Sequence, residues 1–143
     1  MKHEILVYNK TSQKTPKKFI VQKILKILNF LKIKQPVELA VLIVDKSQVK
    51  RLNKIWRGKN EPADELSFGL NSRQKEKFAK SHFSVLELGE IVINADKISD
   101  RSYLSKILVH SLLHLLGYHH EKSRKEAKKN EQLEERILKY LEI

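Results

Sequence analysis

Apolar and polar positions change period several times along this chain, and each change predicts an element. Residues 4–8, EILVY, are a short run of β-branched and aromatic side chains and predict a strand. Ile20, Ile24, Ile27, Leu28 and Leu31 then recur at three- and four-residue spacing with lysines mainly between them, which predicts an amphipathic helix. Thr15-Pro16 supplies a start for it, with Pro at the first helical position, and Pro36 ends the unit. Residues 37–44, VELAVLIV, are nearly continuously apolar, as expected of an interior strand. Asp45 or Ser47 can cap the next helix. On it Val49, Leu52 and Trp56 form an apolar stripe, and Lys50, Lys54 and Arg57 share another face.

Residues 58–62 read as a turn, 64–68 as a short edge strand, and 70–85 as a polar, basic loop with a helical turn. Residues 86–94, LELGEIVIN, predict a further strand, in which Gly89 marks a bulge or a close backbone approach. Asp100 or Ser102 can start a helix that is apolar nearly all round from Ile107 onward, so it should run through the core. Ser123-x-x-Glu126 is a capping box for a last helix, with Leu133, Ile137 and Leu141 facing inward. There is no internal repeat and no linker. The expectation is a single domain over residues 1–143, of α+β class, with one small sheet packed with helices.

Composition narrows the chemistry. The chain has no cysteine, which excludes disulfides, thiolate–zinc sites and cysteine nucleophiles. The N-terminus, MKHEILVYNK, lacks the apolar stretch of a secretory leader. The longest uncharged apolar run, 107–118, falls well short of the roughly 20 residues a membrane helix needs. A soluble, cytoplasmic protein with no membrane partner is therefore expected. Net charge is +12, and residues 1–80 hold 19 Lys/Arg against 7 Asp/Glu while residues 81–143 hold 10 of each. The excess thus lies in the first part of the chain. Such a field suits a polyanion, most simply nucleic acid, although a lysine-rich surface can also serve solubility alone.

The sharpest chemical signal is in VHSLLHLLGYHH. His110 and His114 are four apart, so a helix projects both from one face. Gly117 can end that helix in a left-handed turn, and the returning chain can bring His120 to the same point. Two helical histidines and a third from the following loop have the layout of an open zinc site, which keeps three protein ligands and a water. A lone histidine on an apolar helix is more often a satisfied core residue, but a buried pair would need hydrogen-bond partners, and the stretch 107–116 offers only Ser111. His119 could replace His120 as the third ligand.

Three blocks together resemble the YbeY family of metal-dependent endoribonucleases, which mature ribosomal RNA. His110-Ser111-Leu112-Leu113-His114-Leu115-Leu116-Gly117-Tyr118-His119-His120 resembles the family's H-G-x-L-H-L-x-G-Y-D-H. Leu52-Asn53, Trp56-Arg57-Gly58-Lys59, Pro62, Asp64 and Leu66-Ser67-Phe68 resemble its L-N-x-x-Y-R-G-x-x-x-P-T-D-V-L-S-F, and Leu88-Gly89-Glu90-Ile91-Val92-Ile93 its L-G-D-I-x-I. The chain departs from these patterns at His119 (Asp in the family), Ser111 (Gly), Ala63 (Thr), Glu65 (Val) and Gly69 (Pro), and 94–110 is shorter than usual. None of these changes removes a histidine ligand.

The resemblance implies a mixed sheet with the metal-bearing helix packed on it. It implies one zinc per chain on His110, His114 and His120, with Arg57 beside it as a catalytic residue. It further implies cleavage at the 3′ end of small-subunit ribosomal RNA and a part in ribosome quality control, with RNA and the ribosome or its small subunit as partners and no role for DNA. Arg57 would hold phosphate oxygens through its planar fork; without the resemblance it reads as a solvated arginine on a basic helix. The general base is open. Glu90 and Asp64 are candidates by block position, but for both the favoured reading is a carboxylate that orients a ligand histidine. Two other functions compete. A zinc peptidase of the H-E-x-x-H type needs its base directly after the first histidine, where this chain has Ser111. A ribosome- or RNA-associated binding protein with a closed structural zinc would need a fourth ligand, which His119 could supply.

Overall fold

A computed structural model describes residues 2–69, 85–118 and 123–142. In chain order they form β1 (Glu4–Asn9), α1 (Lys17–Phe30), β2 (Val37–Val44), α2 (Lys46–Arg57), β3 (Glu65–Gly69), β4 (Leu86–Asn94), a 3-10 turn (Ala95–Lys97), α3 (Arg101–Leu115) and α4 (Arg124–Leu141). The strands make one mixed sheet in the order β1-β2-β4-β3. β2 is parallel to both its neighbours, while β3 runs antiparallel to β4 at the edge. The α+β class and the interior place of β2 are as the sequence predicts. The predicted loop over 70–85 lies, but for its last residue, outside the described residues. Among the described residues no helix is long and apolar enough to cross a membrane.

Alternation along the strands divides the apolar side chains between two faces. Leu39, Val41 and Ile43 of β2 and Ile91 and Ile93 of β4 pack against α1, α3 and α4 in the main core. On the opposite face Val44 and Val92 join Leu66 of β3 beneath Val49 of α2. Burying each Leu, Ile or Val contributes roughly 1.5–3 kcal/mol, so the main core carries most of the stability. α3 threads that core, with Leu104, Leu108 and Leu112 each fully buried.

Local chemistry sets the ends of the elements. Asp45 caps α2 by accepting from the Gln48 amide at 3.0 Å, and Asp100 caps α3 by accepting from the Tyr103 amide at 3.1 Å. Ser123 caps α4 through the Glu126 amide, also at 3.1 Å. α1 begins one residue later than predicted. Pro16 takes the cap position and the Thr15 side chain makes no cap bond. At Gly89 the register between β2 and β4 slips by one residue, so the predicted bulge is present. Beyond the end of α3, Gly117 has φ 99°, the left-handed turn that the sequence predicts. The Tyr118 amide donates to the Leu113 carbonyl at 2.9 Å and the Gly117 amide to the His114 carbonyl at 3.1 Å, a paired closure of the helix end.

One residue departs from its predicted stripe. Val49 is buried and Leu52 is partly covered, but Trp56 is 67% exposed. Trp56 lies in the last turn of α2, where Phe68 of β3 packs against it in a T-shaped arrangement and covers little of the indole.

α2 ends at Gly58, whose φ of 70° places it in the left-handed region, with nothing within 4 Å of where a Cβ would sit. Gly58→Ala should therefore lose about 1–2 kcal/mol through backbone strain alone, and Gly58→Asn less, as read by urea denaturation. Equal losses for the two variants would mean that the left-handed backbone is not what the glycine provides.

Candidate metal and phosphate site

Three elements meet at the β3 edge of the sheet. Arg57 is the last residue of α2. The connection from there to β3 is held from both sides. Buried Asn53 donates its side-chain amide to the Glu61 carbonyl at 2.9 Å, and Asn94 donates to the Ala63 carbonyl at 3.2 Å. Along β3 the pleat turns Leu66 and Phe68 toward α2 and leaves Glu65 and Ser67 on the α3 side. From α3 come His110 and His114, one turn apart and both exposed. Arg57, Glu65, Ser67, His110 and His114, with Trp56, Leu66 and Phe68, line a pocket of about 550 Å³.

Glu65 is the carboxylate in this pocket, and the sequence motifs did not point to it. Its Oε2 accepts the Ser111 hydroxyl at 2.8 Å and the Ser67 hydroxyl at 2.9 Å. Ser111 is fully buried, so its hydroxyl needs a partner. Ser111 and Glu65 are two of the departures from the family pattern, and here they bond to each other. The usable signal was that both substitutions occur in one chain.

His110 has a carboxylate partner of its own. Its Nδ1 lies 2.9 Å from Oε1 of Glu134 on α4. That contact fixes the ring and makes Nε2 the nitrogen that would bond a metal. The hydrogen bond to Glu134 raises the His110 pKa above the ordinary imidazole value, burial opposes the rise, and the charges of Glu134 and Glu65 add to it. Glu134 was not foreseen, because α4 carries Glu131 and Glu135 beside it and spacing alone does not say which faces α3.

Asp64 and Glu90 occupy other places. Asp64 accepts the Tyr103 hydroxyl and lies 3.7 Å from Lys97, tying the start of β3 to the start of α3. Its bond to Tyr103 raises the pKa of that phenol. Glu90 is exposed on β4 and lines a separate groove beneath α2. Neither lines the pocket of the two histidines.

The described part of the site suits a metal in its donor set: two exposed imidazoles four residues apart, one oriented by a carboxylate, facing an open pocket. Among the described residues no group of three His, Cys, Asp or Glu side chains is placed to hold an ion. The remaining predicted ligand, His120, and its rival His119 lie outside the described residues.

The sequence matches the profile of the family described as Endoribonuclease YbeY over residues 6–142. A protein of that name from Persephonella marina is 39% identical over 120 residues, 78% of this chain and 74% of that one. Another from Syntrophomonas wolfei is 35% identical over 149 aligned positions, covering 94% of this chain and 95% of its own length. Among solved structures, a Thermotoga maritima protein determined in solution superimposes with a TM-score of 0.60 at 22% identity, over 96% of this chain and 88% of that one, which supports the fold.

The geometry yields two expectations. In the metal-free protein, Glu134→Gln should lower the His110 pKa, measured by NMR titration of the imidazole protons. The folded pKa is raised, so the pair stabilises the fold fully below the unfolded histidine value, and that contribution is lost as pH rises through the folded value. A His110 pKa that does not move would show that Glu134 leaves the ring unaffected. The Glu65–Ser111 bond, in turn, predicts non-additivity. Glu65→Val and Ser111→Gly should each destabilise, and the double variant by less than the sum, with a coupling on the order of 1 kcal/mol. Strict additivity in denaturant unfolding would mean that the bond contributes nothing.

Proposed function

Since the chain belongs to the YbeY endoribonuclease family, we propose that it is a zinc-dependent endoribonuclease. It cleaves single-stranded stretches of ribosomal RNA, at the 3′ end of the small-subunit molecule, and takes part in ribosome quality control in the cytoplasm. The observation that carries this reading is the convergence of Arg57, Glu65, His110 and His114 on one open pocket. His110, His114 and His120 would hold the zinc, which when bound would supply a water of lowered pKa, about 7, and Lewis-acid polarisation of a phosphoryl oxygen.

The chain's own residues do the rest. Arg57 lines the pocket and takes two phosphate oxygens in its fork, where a lysine would offer a single point charge. Charge that builds on those oxygens during cleavage is met by a donor already in place. Glu65, held by two serine hydroxyls, is the carboxylate best placed to accept a proton inside the pocket. Glu134 keeps His110 in one tautomer. An exposed pair of imidazoles on an open pocket supports this reading over a closed structural zinc. The burial of Ser111 and its bond to Glu65 speak against a peptidase, which needs a base at that position.

The test is zinc content together with single-turnover cleavage of a single-stranded ribosomal RNA fragment, with RNA binding measured separately. His114→Ala should lose both metal and cleavage. Arg57→Lys should keep its zinc and fold, weaken binding modestly, and cut the cleavage rate by about 10²–10³. Cleavage that survives without zinc would overturn the metal assignment. An unchanged single-turnover rate in Arg57→Lys would make Arg57 a residue that only positions phosphate.

A further inference from the structure

Trp56 has no part in the chemistry above, yet it is 67% exposed in the last turn of α2, next to Arg57. Phe68 packs against it in a T-shaped arrangement, with ring centroids 6.0 Å apart at 64°, and most of the indole surface is left to solvent. Trp56, Ser67 and Phe68 line both the histidine pocket and a second groove of about 940 Å³ on the α2 face of the sheet. The indole therefore stands on the wall shared by the two spaces.

The groove separates two kinds of ligand group. Leu42, Val44 and Val92 give it apolar surface, and Lys10, Asp45 and Glu90 also line it. The two carboxylates repel phosphate but can accept from the amino group of a base. Most of the nearby positive charge belongs to the helix: α2 carries Lys46, Lys50, Arg51, Lys54 and Arg57 and no acidic residue. A strand of RNA fits this arrangement with its phosphates along α2 and a base turned inward.

We propose that Trp56 is a stacking platform for an unpaired nucleobase of the RNA strand whose phosphate Arg57 holds. The inference rests on the endoribonuclease reading and adds to it a base-binding subsite and a reason for preferring single strands. A base in a duplex has its faces covered and its edge paired, whereas an unpaired base can lie on the indole.

Trp56 is the single tryptophan of the chain, so its fluorescence reports this position alone. The purified full-length protein is titrated with a short single-stranded RNA, the same strand made abasic, and a duplex, while binding is followed independently by anisotropy of a dye on the RNA. Quenching by the single strand, with little from the abasic strand or the duplex, is the expected result. Trp56→Ala should weaken single-strand affinity about ten- to a hundred-fold, from the usual worth of a base–aromatic stack, and Trp56→Tyr should keep most of it. RNA that binds by anisotropy with the indole signal unchanged overturns the stacking proposal while leaving the endoribonuclease reading intact. A protein that binds no RNA by either signal overturns both.

Discussion

The antiparallel pairing of β3 with β4 is the constraint on which the candidate site depends. It sets Leu66 opposite Val92 and Ser67 opposite Ile91, and so decides which side chains of β3 face α2 and which face α3. A slip of one residue would exchange the side chains of β3 that face α2 with those that face α3, and would part Glu65 from Ser111. The parallel strands behind β3 supply the rigid base, and α3 is fixed against them by a side buried nearly all round. Arg57 and the two histidines thus reach one pocket from separate elements, each anchored in apolar packing.

Buried polar groups make that arrangement specific. Asn53 and Asn94 hold the connection between α2 and β3 through carbonyls at Glu61 and Ala63, and Asp64 ties the same corner to Tyr103. Ser111 has no access to water and donates its hydroxyl hydrogen bond to Glu65. Each of these bonds crosses between elements, so it serves the geometry of the pocket more than the stability of any one helix or strand. Glu65 and Ser111, both departures from the family pattern, thus satisfy each other.

Much of the fold was legible because periodicity and end signals agreed. The continuous apolar run of 37–44 marked the inner strand, Gly89 the bulge, and Asp100 and Ser123 the caps. The His110–His114 spacing and the turn at Gly117 were equally plain. What escaped the sequence were contacts between elements far apart in the chain. Glu134 reaches His110 across 24 residues and Ser111 reaches Glu65 across 46, and one-dimensional spacing has no means of ranking such pairs. Trp56 fell outside its expected burial for a related reason. A stripe shows which side of a helix is apolar, but not how much of it other elements cover.

The central claim is that the two imidazoles of α3 form one side of a zinc site facing Arg57 and Glu65. Anomalous diffraction at the zinc edge, on crystals of the zinc-supplemented protein, tests it most directly. The account predicts one strong peak in the pocket at the β3 edge, within zinc–nitrogen bonding distance of Nε2 of His110 and of His114, about 2.0–2.1 Å. An empty pocket with the ion bound elsewhere, or a peak that leaves both imidazoles uncoordinated, would contradict it.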